Sequence, residues 1–388
     1  MAQLRLGISG LGRGAMLTVP GLAANARIEL VAGFDPSREP RLGLRRAYGV
    51  RAYESFEDLI AHPGLDAVYI ASPHGHHASQ AIAAARAGKH VLVEKPMAVS
   101  IAEARAMADA AAESGTCLMV GPSHGFDGPV SLAADIIASG NIGRARMIQA
   151  FNYTDFLLRP RRPEELDRER GGGVVLSQAT HQIDIVRRLA GSKVRSIRAQ
   201  LFDWDTERPA DGAFSAFLFF ENGATATLGY SGYAHYDSDA LLGWIGEMGR
   251  PKARETHARA RSRLAGTDEA AQKQARGFAG PASNTAEPPV AHEHFGFVLA
   301  SCEQADVELT TSGVILHGDT SREELAAPLP ETRRTNIGEA FAACVLDGEA
   351  PIFDGAWGLH TLACCHAILR SGDEGREVML DEIVSESH

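Results

Sequence analysis

The chain has 388 residues, 45% of them hydrophobic and 22% charged, with a formal net charge of −11. This length carries two domains with substantial cores, and the acidic balance excludes a nucleic-acid partner on electrostatic grounds. No apolar run is long enough to span a bilayer, Met1-Ala2-Gln3-Leu4-Arg5 lacks the regions of a signal peptide, and five scattered cysteines without a C-x-x-C pair predict reduced thiols in a cytoplasm, with neither a disulfide framework nor a zinc site.

Leu4–Ser9 reads as a buried strand, and Gly10-Leu11-Gly12-Arg13-Gly14-Ala15 then opens a helix. Gly10, Gly12 and Ala15 fit the spacing G-x-G-x-x-G/A. The first glycine allows a tight turn, the second lets a pyrophosphate approach the backbone, and the small third residue lets helix and strand pack closely. The phosphates would sit on the helix N-terminus, where unpaired N–H groups favour anions. A second apolar strand, Glu29–Phe34, ends at Asp35. A carboxylate there bonds ribose hydroxyls and repels a 2′-phosphate, so NAD is expected over NADP; the nearby Arg38 softens that preference.

The alternation continues to residue 121. Asp66–Ala71 is a strand that ends in Ser72-Pro73-His74-Gly75-His76-His77, followed by an alanine-rich helix over 78–87. His90–Val93 is the next strand, and it ends in Glu94-Lys95-Pro96. Helix 100–114 and strand Thr116–Gly121 follow. This βα repeat predicts a doubly wound parallel sheet, α/β in class, over 1–121. Gly10, Asp35, Ser72 and Lys95 then fall at one sheet edge, where such folds bind ligands. A lysine beside a nicotinamide can hydrogen-bond a reacting oxygen and help move its proton. Pro96 permits a cis Lys95–Pro96 bond.

Residues 122–388 read as an α+β domain with a mostly antiparallel open sheet. A helix over 129–139 leads into the strand Ala145–Tyr153. Ala213–Phe220 and Ala224–Tyr230 flank Glu221-Asn222-Gly223, a hairpin signal. Val194–Trp204 and Val307–His317 also read as strands. The stretch 250–292 is a polar insertion, either solvated and partly disordered or a basic lid that attracts an anionic substrate. The tail holds two helical patterns around Pro351 that can pack back on the first domain.

Gly171-Gly172-Gly173 precedes a helix carrying Ser177, His181 and Asp184, whose spacing puts them on one face. His181 is a candidate proton acceptor beside a substrate hydroxyl, or a histidine bracing its helix. Metal is not expected: neither His74, His76 and His77 nor His292 and His294 come with further ligands in a recognised spacing.

Taken together these motifs resemble the glucose–fructose oxidoreductase and inositol dehydrogenase (Gfo/Idh/MocA) family. The resemblance rests on the Gly10/Gly12/Ala15 fingerprint, Ala71-Ser72-Pro73 with His77, Ala87–His90 through Glu94-Lys95-Pro96, Gly171–Gly173 with His181 and Asp184, and Gly348, Pro351, Gly358-Leu359 and Gly375-Arg376 in the tail. It implies a Rossmann domain, NAD, and Lys95 with His181 as the catalytic pair. It also implies a homodimer or homotetramer, the open sheet having one face free for another subunit. Gly10, Gly12, Arg13, Gly14, Ala15, Asp35, Ser72, Pro73, His74, His77, Glu94, Lys95 and Pro96 would line the cofactor. The chain departs from the family at Ser177, where many members carry aspartate.

Phe151–Phe156, Arg159–Leu166, Ser177–Gln182 and Gly243–Arg250 resemble more narrowly the phthalate 4,5-cis-dihydrodiol dehydrogenases. That implies oxidation of a cis-dihydrodiol of an aromatic carboxylate. Arg159, Arg161 and Arg162 would pair its carboxylates, unless they form a solvated loop or subunit contact. His124, Asn152, Tyr153, Ser177, Gln178, Tyr233, His235 and Tyr236 are further candidates for the pocket, or for core or interface. The alternatives are a sugar or cyclitol dehydrogenase and a catalytically weak NAD-binding sensor.

Overall fold

β1 (Leu4–Ser9) is buried at five of its six positions in a computed structural model that describes residues 2–121, 123–254, 259–280 and 289–385. Such a strand needs cover on both faces, which a parallel sheet with crossover helices supplies. The chain provides it in order: α1 (Arg13–Ala24), β2 (Ile28–Phe34), α2 (Arg38–Tyr48), β3 (Arg51–Tyr53), α3 (Phe56–Ile60), β4 (Ala67–Ile70), α4 (His77–Arg86), β5 (His90–Val93), α5 (Ile101–Ser114) and β6 (Leu118–Val120). The six strands run parallel in the order β3-β2-β1-β4-β5-β6. The order reverses between β1 and β4, which makes that the switch point where ligands bind. Local signals hold the helices: Ser100 and Glu103 form a capping box at α5.

The described residues form two compact units. The first combines those of Met1–Pro122, Asp268–Pro288 and Pro330–Leu362. Its later pieces include α9 (Glu269–Gln274) and α10 (Thr335–Ala342). α10 packs on α1, where Gly338 lies close to Leu22 and Ile28, and Arg334 donates to Thr18 Oγ1 at 2.9 Å. The tail thus folds back on the parallel sheet. It also brings Cys344 to Cys117, and the two form a disulfide across 227 positions with Cα atoms 6.8 Å apart. The expectation of reduced thiols throughout is corrected here. Sequence spacing could not show the pair, because the returning tail makes it. Cys302, Cys364 and Cys365 are not in a disulfide.

The second unit holds the described residues of Ser123–Thr267, Pro289–Leu329 and Ala363–His388. α6 (Gly128–Ala138) leads to β7 (Ala145–Tyr153), and α7 (Thr180–Ala190) leads to β8 (Val194–Phe202), β9 (Ala213–Phe220) and β10 (Thr225–Ser231). A short ribbon of β11 (Ile245–Gly246) and β12 (Arg250–Pro251) precedes α8 (Ala260–Leu264). β13 (Phe297–Cys302), β14 (Asp306–Leu309), β15 (Gly313–His317) and β16 (Arg322–Ala326) follow. The chain ends with α11 (Gly355–Glu374), which begins in the first unit, β17 (Val378–Met379) and α12 (Leu380–Ser385). Nine strands join as β16-β15-β14-β13-β7-β10-β9-β8-β17, antiparallel except for β7 with β10. The expected Asn222-Gly223 hairpin joins β9 to β10, with Gly223 at φ 84°. Val307–His317, expected as one strand, is a hairpin instead. Thr310 bonds back to Gly313 through its N–H and its hydroxyl, and local turn chemistry beats the apolar run.

Part of the insertion is ordered. Within the second unit Arg261 pairs with Asp205 at 3.2 Å, Arg263 with Asp155 at 3.2 Å, and Lys252 with Asp237 and Asp239 at 2.7 and 2.6 Å. These cations are balanced internally, so the reading of a basic lid fails for them. Residues 255–258 and 281–288 of that stretch lie outside the described residues.

Closing a loop this long by a covalent link restricts the unfolded chain, by the usual measure about 2–4 kcal/mol of stability. Cys344→Ser should lower the unfolding free energy without reductant by that amount, read as a lower denaturation midpoint. Equal midpoints for the two proteins would show that the thiols do not pair.

Candidate active site

Four loops of the parallel sheet meet at the switch point. Gly10 has φ 83°, and a methyl group on it would stand 2.5 Å from Ser72 N. The turns after β1 and β4 can therefore touch only through glycine. Ser9 and Ser72 hydroxyls both donate to Gln80 Oε1, at 2.8 and 2.9 Å. Gly12 differs from Gly10: a methyl group there meets nothing within 4 Å. The space it would fill is open and faces the start of α1, where Gly12 provides no side-chain cap and the first turn holds no acid. The exposed N–H groups and open space fit a pyrophosphate.

Asp35 accepts from Leu11 N–H at 3.0 Å and Ser37 N–H at 2.9 Å. It therefore shapes the glycine turn as well as carrying charge. Arg41, rather than Arg38, lies against this corner, donating to the Asp35 and Pro36 carbonyls at 2.9 Å. His77 is buried with its two ring nitrogens 2.9 Å from the Pro96 carbonyl and 2.8 Å from the Ser72 carbonyl. It ties the Ser72-Pro73 turn to Lys95-Pro96, whose peptide bond is cis. Burial pushes the His77 pKa down, against the pull of both carbonyls. Glu94 accepts from Tyr69 OH at 2.7 Å and lies 3.2 Å from where a methyl on Gly14 would be. Burial raises the Glu94 pKa, and Lys95 opposes that. Arg13 and Pro73 are exposed, and His74 stacks edge-on to His77 at 5.5 Å.

In the second unit the glycine run is forced by backbone contacts. A methyl on Gly172 would lie 2.6 Å from the Glu165 carbonyl, and Gly171 and Gly173 have φ 84° and 83°. The chain then makes a π-helical turn over Val175–Ala179 before α7. Ser177 sits in that turn and His181 and Asp184 in α7, so they are not on one regular helix. Such turns often mark functional sites. Asp184 accepts from Ser123 Oγ at 2.7 Å. His181 and His124 pack edge-to-face at 4.7 Å, both against Phe295.

The two histidines are set in opposite tautomers. His181 Nδ1 accepts from the His124 N–H at 3.3 Å, so a neutral His181 keeps its proton on Nε2. His124 Nδ1 stands 2.7 Å from Asp127 Oδ2 and donates to it, so a neutral His124 keeps its proton on Nδ1. Among the described residues, His124, Asp127 and Glu293 are the set that could hold a metal ion, with ligand atoms within 4.8 Å of one another.

The remaining candidates divide. Arg159 bonds Asp155 at 2.8 Å and Glu247 at 2.9 Å. Burial opposes its charge, yet these carboxylates raise its pKa. Arg161 lies 3.6 Å over the Phe156 ring and donates to the Phe156 carbonyl, and burial lowers its pKa to about 10. Arg162 points toward Glu164 at 3.6 Å. Asn152 is fully buried between Glu247 and Ser238. Gln178 is buried near Tyr230 OH at 3.4 Å. Tyr233 is not a pocket wall: it is 0% exposed in a small core with Leu157 and Ala213, its hydroxyl on the Phe202 carbonyl. His235, Tyr236 and Tyr153 are exposed. Sequence reasoning assigned no site role to Glu247 or Asp239, and read Lys252 only as part of the basic insertion. Burial pushes Asp239 up to about 6 despite Lys252. Glu247 lies within Gly243–Arg250, a stretch that carries the narrower resemblance.

Residues 4–122 match the model of an oxidoreductase family with an NAD-binding Rossmann fold, and 130–252 match the Gfo/Idh/MocA C-terminal domain. The chain is 39% identical over 378 residues to 1-carboxy-3-chloro-3,4-dihydroxycyclohexa-1,5-diene dehydrogenase of Comamonas testosteroni, covering 95% of each. This chain belongs to the Gfo/Idh/MocA oxidoreductase family. A myo-inositol 2-dehydrogenase of Thermotoga maritima is 27% identical over 64% of this chain and 74% of its own. A solved structure from Bordetella bronchiseptica RB50 superposes with a TM-score of 0.92 at 36% identity, over 97% of this chain and all of that one. As a family member the protein is an NAD-binding oxidoreductase, and no described helix is long and apolar enough to cross a membrane.

Asp35→Asn keeps an acceptor for the turn and removes the charge. It should raise the NADP-to-NAD ratio of kcat/KM by about tenfold or more. An unchanged ratio would assign cofactor choice to another residue.

Proposed function

We propose that this enzyme oxidises a cis-dihydrodiol of a ring carboxylate to the catechol. The observation that carries the proposal is the 39% identity, across 95% of both chains, to an enzyme whose name joins a carboxyl group, a vicinal diol and a cyclohexadiene ring. NAD, held by Gly10–Ala15 and Asp35, would accept a hydride from the carbinol carbon. Lys95 would hold and polarise the oxygen on that carbon. His124, braced by Asp127, and His181, packed edge-to-face on it, would between them take the hydroxyl proton and orient the oxygen. Loss of a hydride and a proton leaves a hydroxy-dienone, which tautomerises to the aromatic catechol and draws the reaction forward. Arg161, over the Phe156 ring, would supply positive charge for the substrate carboxylate, Arg159 being met by Asp155 and Glu247.

The inositol dehydrogenase relative favours a second reading, a cyclitol substrate. The purified protein is offered NAD with carboxylated and uncarboxylated cis-dihydrodiols, myo-inositol and glucose, and NADH absorbance is followed. Turnover confined to carboxylated dihydrodiols is expected, and turnover on polyols alone overturns the proposal. Lys95→Ala should lose about 10²- to 10⁴-fold in kcat while NAD affinity stays within a few-fold.

We also propose self-association through the uncovered face of the nine-stranded sheet. Met147, Tyr153 and Phe217 are 47%, 38% and 37% exposed there, on strands whose alternate residues are buried. Phe217→Glu should shift the sedimentation coefficient of the native protein toward that of a single chain. An identical value for both proteins would rule this face out.

A further inference from the structure

A segment more than 250 residues further along the chain is locked to the dinucleotide turn. Phe278 N–H donates to the Leu11 carbonyl at 3.1 Å. Its side chain is 4% exposed and meets Tyr48 of α2 edge-on at 6.2 Å. Two close approaches make this docking possible. A methyl on Gly277 would lie 2.8 Å from Leu11 O and 3.0 Å from Gly12 Cα, and a methyl on Gly43 in α2 would overlap the Phe278 carbonyl. Asp268 caps α9 through Ala271 N–H at 3.0 Å, which starts the segment.

Leu11 is the residue between Gly10 and Gly12. Its N–H is held by Asp35 and its carbonyl by Phe278, so both of its backbone polar groups are pinned, one of them by a part of the chain outside both matched family spans. We propose that Asp268–Gly280 is a cofactor strap. Gly277 and Phe278 are positioning residues that keep the glycine turn in its anion-binding shape, so dinucleotide affinity depends on them. Pre-organised donors bind an anion without first ordering a loop.

The test compares Phe278→Ala, Phe278→Leu and Gly277→Ala with the parent protein. NAD affinity is measured by calorimetry, and KM for NAD, KM for the alcohol substrate and Tm are followed beside it. Phe278→Ala and Gly277→Ala should raise Kd and KM for NAD about tenfold, as when the competent turn is populated about a tenth of the time. kcat and KM for the alcohol stay unchanged, and Phe278→Leu recovers most of the affinity. A lower Tm with unchanged NAD affinity overturns the proposal, because the segment then serves packing alone. Hydrogen exchange on the parent protein is independent of variant folding and of the substrate's identity. NAD should slow exchange at Leu11 and Phe278, and equal protection with and without NAD overturns the proposal.

Discussion

The contact between Gly10 and the Ser72 backbone is the constraint on which the cofactor half depends. Two parallel strands whose crossovers leave in opposite directions open a crevice, and the turns at its floor must pass within van der Waals distance. At 2.5 Å from Ser72 N there is no room for a side chain at Gly10. With that approach made, Gln80 can hold Ser9 and Ser72 together, and His77 can reach both the Ser72 and Pro96 carbonyls. Lys95-Pro96 is thereby tied to the Ser72-Pro73 turn.

The second unit solves a different problem, holding many ionisable groups in a buried setting. Isolated buried charge is costly, and several of these groups are met by a partner. Glu247 takes Arg159 and Asn152, Asp239 takes Lys252, His124 takes Asp127, and Asp184 takes Ser123. The outcomes differ in sign. Glu247, beside a guanidinium, stays below the usual carboxylate range although burial opposes it, while burial carries Asp239 upward. The same pairing logic sets the two histidine tautomers, which residue type alone leaves open.

Much was legible before any coordinates. Strand-by-strand apolar runs ending in Gly10, Asp35, Ser72 and Lys95 placed these residues at one edge of the parallel sheet, because buried parallel strands must be short, apolar and followed by a turn. The Asn222-Gly223 hairpin was legible because it is encoded in adjacent residues. Val307–His317 was misread because an apolar run does not show where its own threonines and serine will turn it. Tyr233 was left open between pocket wall and core, because a tyrosine suits both equally until its neighbours are known.

The sequence by itself determined the family and the cofactor type, since these depend on local spacing and on which atoms a residue carries. Only the tertiary structure decided what depends on distant partners: the Cys117–Cys344 bridge, the return of the tail to the first unit, the balanced arginines, and the docking of Phe278 on Leu11. Such pairings are set by closure of the chain over hundreds of residues, and no periodicity within a local window carries that information.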